Sequence, residues 1–224
     1  MSETGFYVRS KKSWESPNSG NPHLIKSKPE NHGKRTLKDT FQEVAILPDT
    51  LSLQPSDTHF VKIGEIVFKD KIALQGIKKV ESTLGSCVGL VLLDSETKFS
   101  AFAHIMLPER PKSKLDSVKV LKGKYAAEAI PYMLSKFKNR GIPFNSLEAK
   151  IAGGASMFEV KKDQYSIFAV GKRNIMKISE LLELEGIKIT GKDTGKDFGR
   201  KMTLFLDDAT VLISEPLSGK THYI

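Results

Sequence analysis

The apolar positions divide the chain at about residue 58. Before that point Arg9, Lys11, Lys12, Lys26, Lys28, Lys34 and Arg35 are scattered among Ser, Asn, Gly and Pro with little periodicity. Such a stretch cannot bury enough surface to offset the entropy of ordering it. Residues 1–57 therefore read as a flexible basic extension, with a short apolar patch at Phe41, Val44, Ile46 and Leu47, and residues 58–224 as one folded domain. Within the domain, residues 60–67 and 71–80 read as strands. The run Val88-Gly89-Leu90-Val91-Leu92-Leu93 reads as a buried strand that turns at Asp94-Ser95-Glu96-Thr97 into a strand over 99–107. Tyr125, Ala129, Ile130, Met133, Leu134 and Phe137 lie on one helical face, predicting a helix over 124–140 that stops at Gly141. Pro131 would bend that helix or mark a late start. A strand over 147–151, a helix over 173–185 bearing Ile175, Ile178, Leu181, Leu182 and Leu184, and a strand over 187–189 follow. Two last strands, 202–206 and 211–214, pair across Asp207-Asp208-Ala209. Strands outnumber helices and mostly form hairpins, so the expected class is α+β, with packed, largely antiparallel sheets and flanking helices. The sequence contains no internal repeat.

Composition narrows the function classes. With 39% hydrophobic residues in 224 the chain can bury a sizeable core. It has neither an apolar run of membrane-spanning length nor, in Met1-Ser2-Glu3-Thr4-Gly5, the start of a secretory signal. A cytoplasmic protein, not inserted in a membrane, is expected. The single cysteine agrees with a reducing compartment, and no Cys/His cluster has metal-ligand spacing, so no metal or other cofactor is implied. A net charge of +9 would suit nucleic acid. The lysines are spread rather than massed, however, and no aromatic-rich nucleic-acid motif accompanies them, so they read as a solvated basic surface.

That lone cysteine, Cys87, lies in Leu84-Gly85-Ser86-Cys87-Val88 at the head of the first hairpin strand, and His104 lies in the returning one. If the hairpin loop is only Ser95 and Glu96, position 87 falls directly across from position 104, and opposed side chains share a face. A thiol beside an imidazole suits acyl transfer, because the imidazole can activate the sulfur and carry protons. A buried cysteine packed beside a core histidine would give the same pattern. Gly85 and Ser86 are small enough to let backbone amides approach a substrate carbonyl as an oxyanion hole. A working imidazole is usually oriented by a third group, for which Glu81, Ser82 and Thr83 are the nearby candidates. Gly153-Gly154-Ala155-Ser156 and Asp193-Thr194-Gly195 lack the Walker and Rossmann spacings, so their glycines read as close backbone approaches around a cleft. Arg173-Asn174, opening the second helix after Val170-Gly171, would either cap that helix or face substrate, and the cap is the preferred reading.

Six motifs, in order over about residues 59–213, resemble the chemoreceptor glutamine deamidase family CheD. They are Leu84-Gly85-Ser86-Cys87-Val88-Gly89, Ala103-His104-Ile105-Met106-Leu107-Pro108, Gly123-Lys124-Tyr125-Ala126, Ala149-Lys150-Ile151-Ala152-Gly153-Gly154-Ala155-Ser156-Met157-Phe158, Gly171-Lys172-Arg173-Asn174 and Asp193-Thr194-Gly195. The resemblance implies a protein-glutamine glutaminase that converts glutamines of methyl-accepting chemotaxis receptors to glutamate, with a fold like that of the cytotoxic necrotizing factor deamidases. It matches Cys87 to the family nucleophile and His104 to its histidine. The family places a threonine five or six positions before the cysteine, where this chain has Ser82 and Glu81. Ser82 keeps the hydroxyl and is preferred as the orienting group, with Glu81 as a carboxylate substitute. Lys196 stands where the family usually has a further glycine. The implied partners are the receptor cytoplasmic domains and a CheC-type phosphatase. A non-catalytic adaptor binding either of them is the alternative function.

Overall fold

The computed structural model describes residues 56–111, 121–156 and 170–224. Apart from Ser56 and Asp57, the expected extension lies outside them, as do most of the polar loop after Pro111 and the end of the glycine motif, Met157-Phe158. The described chain forms β1 Thr58–Phe60, β2 Ile66–Phe68, α1 Lys69–Ala73, β3 Lys79–Leu84, β4 Val88–Asp94 and β5 Ser100–Ile105. It continues with α2 Ala126–Lys138, β6 Leu147–Gly153, α3 Val170–Leu184, β7 Lys188–Thr194, β8 Arg200–Phe205, β9 Val211–Ser214 and β10 Thr221–Tyr223. Two five-stranded sheets result, ordered β1-β3-β8-β9-β10 and β2-β5-β4-β6-β7. Only the β1–β3 and β6–β7 pairings are parallel. The fold is α+β, as the patterning predicts.

Each face of the second sheet has its own core. Leu90, Leu92, Ala103, Ile105 and Ile151 point toward Ile130, Met133, Phe137, Ile178 and Leu182 of α2 and α3. Val91, Leu93 and Phe102 point the other way, onto Val80, Leu84, Met202, Leu204 and Ile213 of the first sheet. Three layers follow, sheet on sheet on helices, with β4 and β5 buried on both sides. A strand buried on both faces reads as a continuous apolar run rather than an alternation, which is why β4 stands out in the sequence.

The structure corrects several expected elements. Residues 60–67 are two strands in different sheets, because Gly64 adopts φ +80 and turns the chain across the sandwich. A Cβ at Gly64 would also lie 3.2 Å from that of Leu121. Residues 71–80 contain the end of α1 and the start of β3; α1 buries only Ile72, and Gly76 at φ +78 leads out of the following turn. α2 runs through Pro131, which is exposed on its outer side, so the proline neither delays nor ends it. α3 begins at Val170, which places Arg173 and Asn174 inside the helix rather than at its cap. β7 extends to Thr194, and β10 has too little apolar text to be seen in the sequence.

Candidate active site

The hairpin that carries Cys87 and His104 is longer-looped than expected. Gly89, not Cys87, opposes His104, and Leu93 opposes Ser100. The loop is residues 95–98, closed by the Asp94 N–H to Phe99 O bond at 2.9 Å, with Lys98 in the left-handed region at φ +56. The Asp94 carboxylate accepts from the Thr97 N–H and hydroxyl and from Ser146, which fixes the longer turn and holds its pKa low through these bonds against the opposing effect of burial. Relative to the expected register, Cys87 therefore sits diagonal to His104, just outside β4. The loop gained residues in a pair, so strand alternation still assigns both positions to the sandwich side. A one-residue slip would have put them on opposite faces.

His104 is buried between the sheets, and its surroundings define its tautomer. Nδ1 lies 2.7 Å from Ser82 Oγ and 3.4 Å from Val61 O. The Ser82 hydroxyl itself donates to Val61 O at 3.1 Å. A carbonyl only accepts, so this network assigns the proton to Nδ1 and leaves the Nε2 lone pair free. Nε2 is buried and has no partner among the described residues. Burial pushes the His104 pKa down, against a smaller upward pull from the Val61 carbonyl. Burial likewise pushes the half-buried Cys87 thiol up. Both shifts favour a neutral thiol and a neutral imidazole at rest over a preformed ion pair.

Strand parity separates the three candidates for the third group. Val80, Ser82 and Leu84 of β3 face the sandwich, and only Ser82 among the candidates reaches His104. Glu81 faces the opposite side, where its carboxylate takes Lys201 Nζ at 3.2 Å and the Thr203 hydroxyl at 3.2 Å. Thr83 is exposed. Among the described residues, no group of three or more His, Cys, Asp or Glu side chains is assembled that could hold a metal ion.

The loop before Cys87 is gripped by the two glycine motifs and by α3. Gly154 N–H donates to Cys87 O and Ala155 N–H to Gly85 O, each at 2.8 Å. Gly153, at φ +102, could carry no side chain, since a Cβ there would stand 2.3 Å from Cys87 O. Gly171 of α3 packs so closely that its Cβ would meet Gly154 O at 2.5 Å. Behind this segment, Gly195 N–H bonds Gly153 O at 2.9 Å and Ser156 N–H bonds Lys196 O at 2.8 Å. The 193–200 turn that supplies them is tied by Arg200, fully buried, whose guanidinium holds Asp193 Oδ1 at 2.6 Å and the carbonyls of Asp193, Gly195 and Phe198. Lys196 occupies φ +63, a conformation that glycine adopts without strain. Its ammonium offsets this in part by bridging Asp193 and Glu215. Asn174, wholly buried on α3, donates to Ser86 O at 3.2 Å and Met106 O at 2.9 Å. Asn174 ends one of the six motifs quoted above, which marks it without giving its role, whereas Arg200 lies in none of them.

Comparison with known proteins gives one consistent result. The family model for CheD, described as chemotactic sensory transduction, matches residues 106–215. The probable chemoreceptor glutamine deamidase CheD of Methanococcus maripaludis strain C6 is 36% identical over 160 residues, covering 70% of this chain and 99% of the relative. The chemoreceptor glutamine deamidase CheD of Bacillus licheniformis is 34% identical over 171 residues, 76% of this chain and 99% of the relative. A Clostridium novyi protein with the same probable description is 39% identical over 142 residues, 63% of this chain and 85% of the relative.

Proposed function

This chain belongs to the CheD family, and from that premise we propose that it hydrolyses side-chain carboxamides of particular receptor glutamines to carboxylates, releasing ammonia. The observation that carries the reading is the state of His104: its Nδ1–H is engaged by Ser82 and Val61, and its Nε2 is basic, buried and unpartnered. That is what a general base needs before substrate arrives.

In the proposed reaction, His104 Nε2 takes the Cys87 thiol proton as the sulfur attacks the glutamine carboxamide carbon. The carbonyl π-electrons move to oxygen, and the amides near Ser86 and Cys87 stabilise the resulting oxyanion. As the tetrahedral centre collapses, the C–N bond breaks and the proton on Nε2 passes to the departing amine, giving ammonia and a thioester. Nε2 then deprotonates a water that attacks the thioester carbon. The C–S bond breaks, glutamate is formed and the thiol recovers its proton. Ser82 takes no part in bond changes; it holds the ring in the required tautomer.

The proposal includes the setting of the reaction. The substrate would be the cytoplasmic domain of a methyl-accepting chemotaxis receptor, met in the cytoplasm, and a CheC-type phosphatase would be a second partner. No described helix is long and apolar enough to cross a membrane. Mass spectrometry of a receptor cytoplasmic domain incubated with the protein tests the reading. Wild type is expected to produce the small mass increase of amide-to-acid conversion at discrete glutamines, and Cys87→Ala to produce none. Conversion that persists in both Cys87→Ala and Cys87→Ser overturns it.

A further inference from the structure

Gly85, Ser86 and Cys87 have all three of their carbonyls engaged, by donors from two places, the segment after β6 and α3. Ala155 N–H holds Gly85 O, Gly154 N–H holds Cys87 O, and the Asn174 side chain holds Ser86 O. By contrast, the N–H groups of Ser86 and Cys87 have no hydrogen-bond partner among the described residues. Ser86 is exposed, but Cys87 is half-buried, and such amides are normally paired, so a free donor on the candidate nucleophile itself calls for a physical reason. In a trans peptide the N–H points away from the C=O of the same unit. Pulling Ser86 O toward α3 therefore turns the Cys87 N–H away from α3, and anchoring Gly85 O does the same for the Ser86 N–H.

We infer that Asn174 is a positioning residue that fixes the Ser86–Cys87 peptide so that its amide can serve the oxyanion of the reaction proposed above, on which this inference rests. Three observations favour it over a general packing role. Among the described residues Asn174 is the only side chain that donates to the loop's carbonyls, the other two donors being backbone, so it alone can be removed by substitution. Its two amide hydrogens are committed to two carbonyls, which settles which terminal atom is nitrogen and leaves Oδ1 buried without a partner. A residue kept for packing alone would not carry an unsatisfied buried oxygen, which costs about 1–3 kcal/mol. Its second bond, to Met106 O, reaches the strand exit two residues beyond His104, so one side chain spans the loop that holds the thiol and the strand that holds the base.

The test separates oxyanion stabilisation from thiol reactivity. Alkylation of Cys87 by iodoacetamide is a direct displacement that forms no oxyanion, whereas deamidation passes through one. Asn174→Ala is expected to lower kcat on the receptor domain about 100-fold, with KM changed less than about threefold and the alkylation rate within about twofold of wild type. Asn174→His, whose Nδ1–H lies near the lost amide nitrogen and can donate to one carbonyl, is expected to recover part of kcat; it decides the matter if the alanine variant does not fold. An unimpaired kcat in a folded variant overturns the role. So does an equal loss of deamidation and alkylation, which would mean that Asn174 only keeps the loop in order. Wild-type protein that leaves receptor glutamines untouched defeats the proposed reaction instead, an outcome distinct from either.

Discussion

His104 lies inside a strand, buried on both sides, and is steadied by a hydroxyl from β3 of the facing sheet and by the Val61 carbonyl just past β1. Cys87 lies outside any strand, in a loop whose carbonyls are bound by residues from the segment after β6 and from α3. The proposed base is thus positioned by strand parity, a property of short stretches of sequence. The proposed nucleophile is positioned by the convergence of distant segments, which no short stretch encodes. Damage to the two halves should look different: changes around His104 should alter proton transfer in an intact fold, whereas changes around the Cys87 loop should spread into stability.

The largest effect expected on this contrast is from His104→Gln, which keeps a polar group in the sandwich but cannot carry a proton. Deamidation should fall by about 10²–10⁴-fold while the thermal midpoint moves little. A variant that keeps a tenth or more of wild-type kcat would remove His104 from the chemistry. The counterpart on the other side is Arg200→Met. Breaking a buried ion pair by removing one partner costs about 3–5 kcal/mol. Chemical denaturation should therefore register a large loss, with Asp193 left buried and the 193–200 turn released from Gly153 and Ser156. Unchanged stability would show that the turn is held by other means.

A smaller effect is expected from Ser82→Ala. Val61 O remains 3.4 Å from Nδ1, so the tautomer is weakened rather than lost, and kcat should drop by about tenfold. Ser82→Thr, which keeps the hydroxyl, should restore most of it. The pH profile sharpens the same point. His104 must be neutral to accept the thiol proton, and burial holds its pKa below the usual histidine value of about 6.5. Activity should accordingly be retained as pH falls through 6.5 and be lost only lower, in a single protonation step. An acid limb centred above 6.5 would contradict the neutral pair. The smallest effect is at Lys196→Gly, where relief of the left-handed strain is offset by lost bridges to Asp193 and Glu215 and by a more flexible unfolded chain, for a net change within about 1 kcal/mol.

The same contrast explains what could be read beforehand. In the sequence Ser82 is preferred for its hydroxyl, with Glu81 left open because the register of its strand cannot be read; in the structure Ser82 shares the buried face of β3 with Val80 and Leu84, and Glu81 does not. The direct opposition of Cys87 and His104 fails, since Gly89 takes that place, but an even discrepancy in loop length leaves strand parity assigning both positions to one side. The single-strand reading of 60–67 failed because Gly64, one residue, bends an otherwise uniform strand pattern. Asn174 was read as a helix cap because polar residues near helix starts usually are. Its actual partners, Ser86 and Met106, lie far back in the chain, and only the packing of α3 against Gly154 brings them together.

The contact between Ser82 and His104 also joins the folding of the protein to its activity, because one residue belongs to each sheet. A chain that has formed the hairpin alone already possesses a thiol and an imidazole, but nothing yet selects the imidazole's tautomer or shields it from water. Chemical competence would then require the two sheets to be closed on each other. On heating, loss of catalysis and loss of tertiary structure should follow one and the same curve.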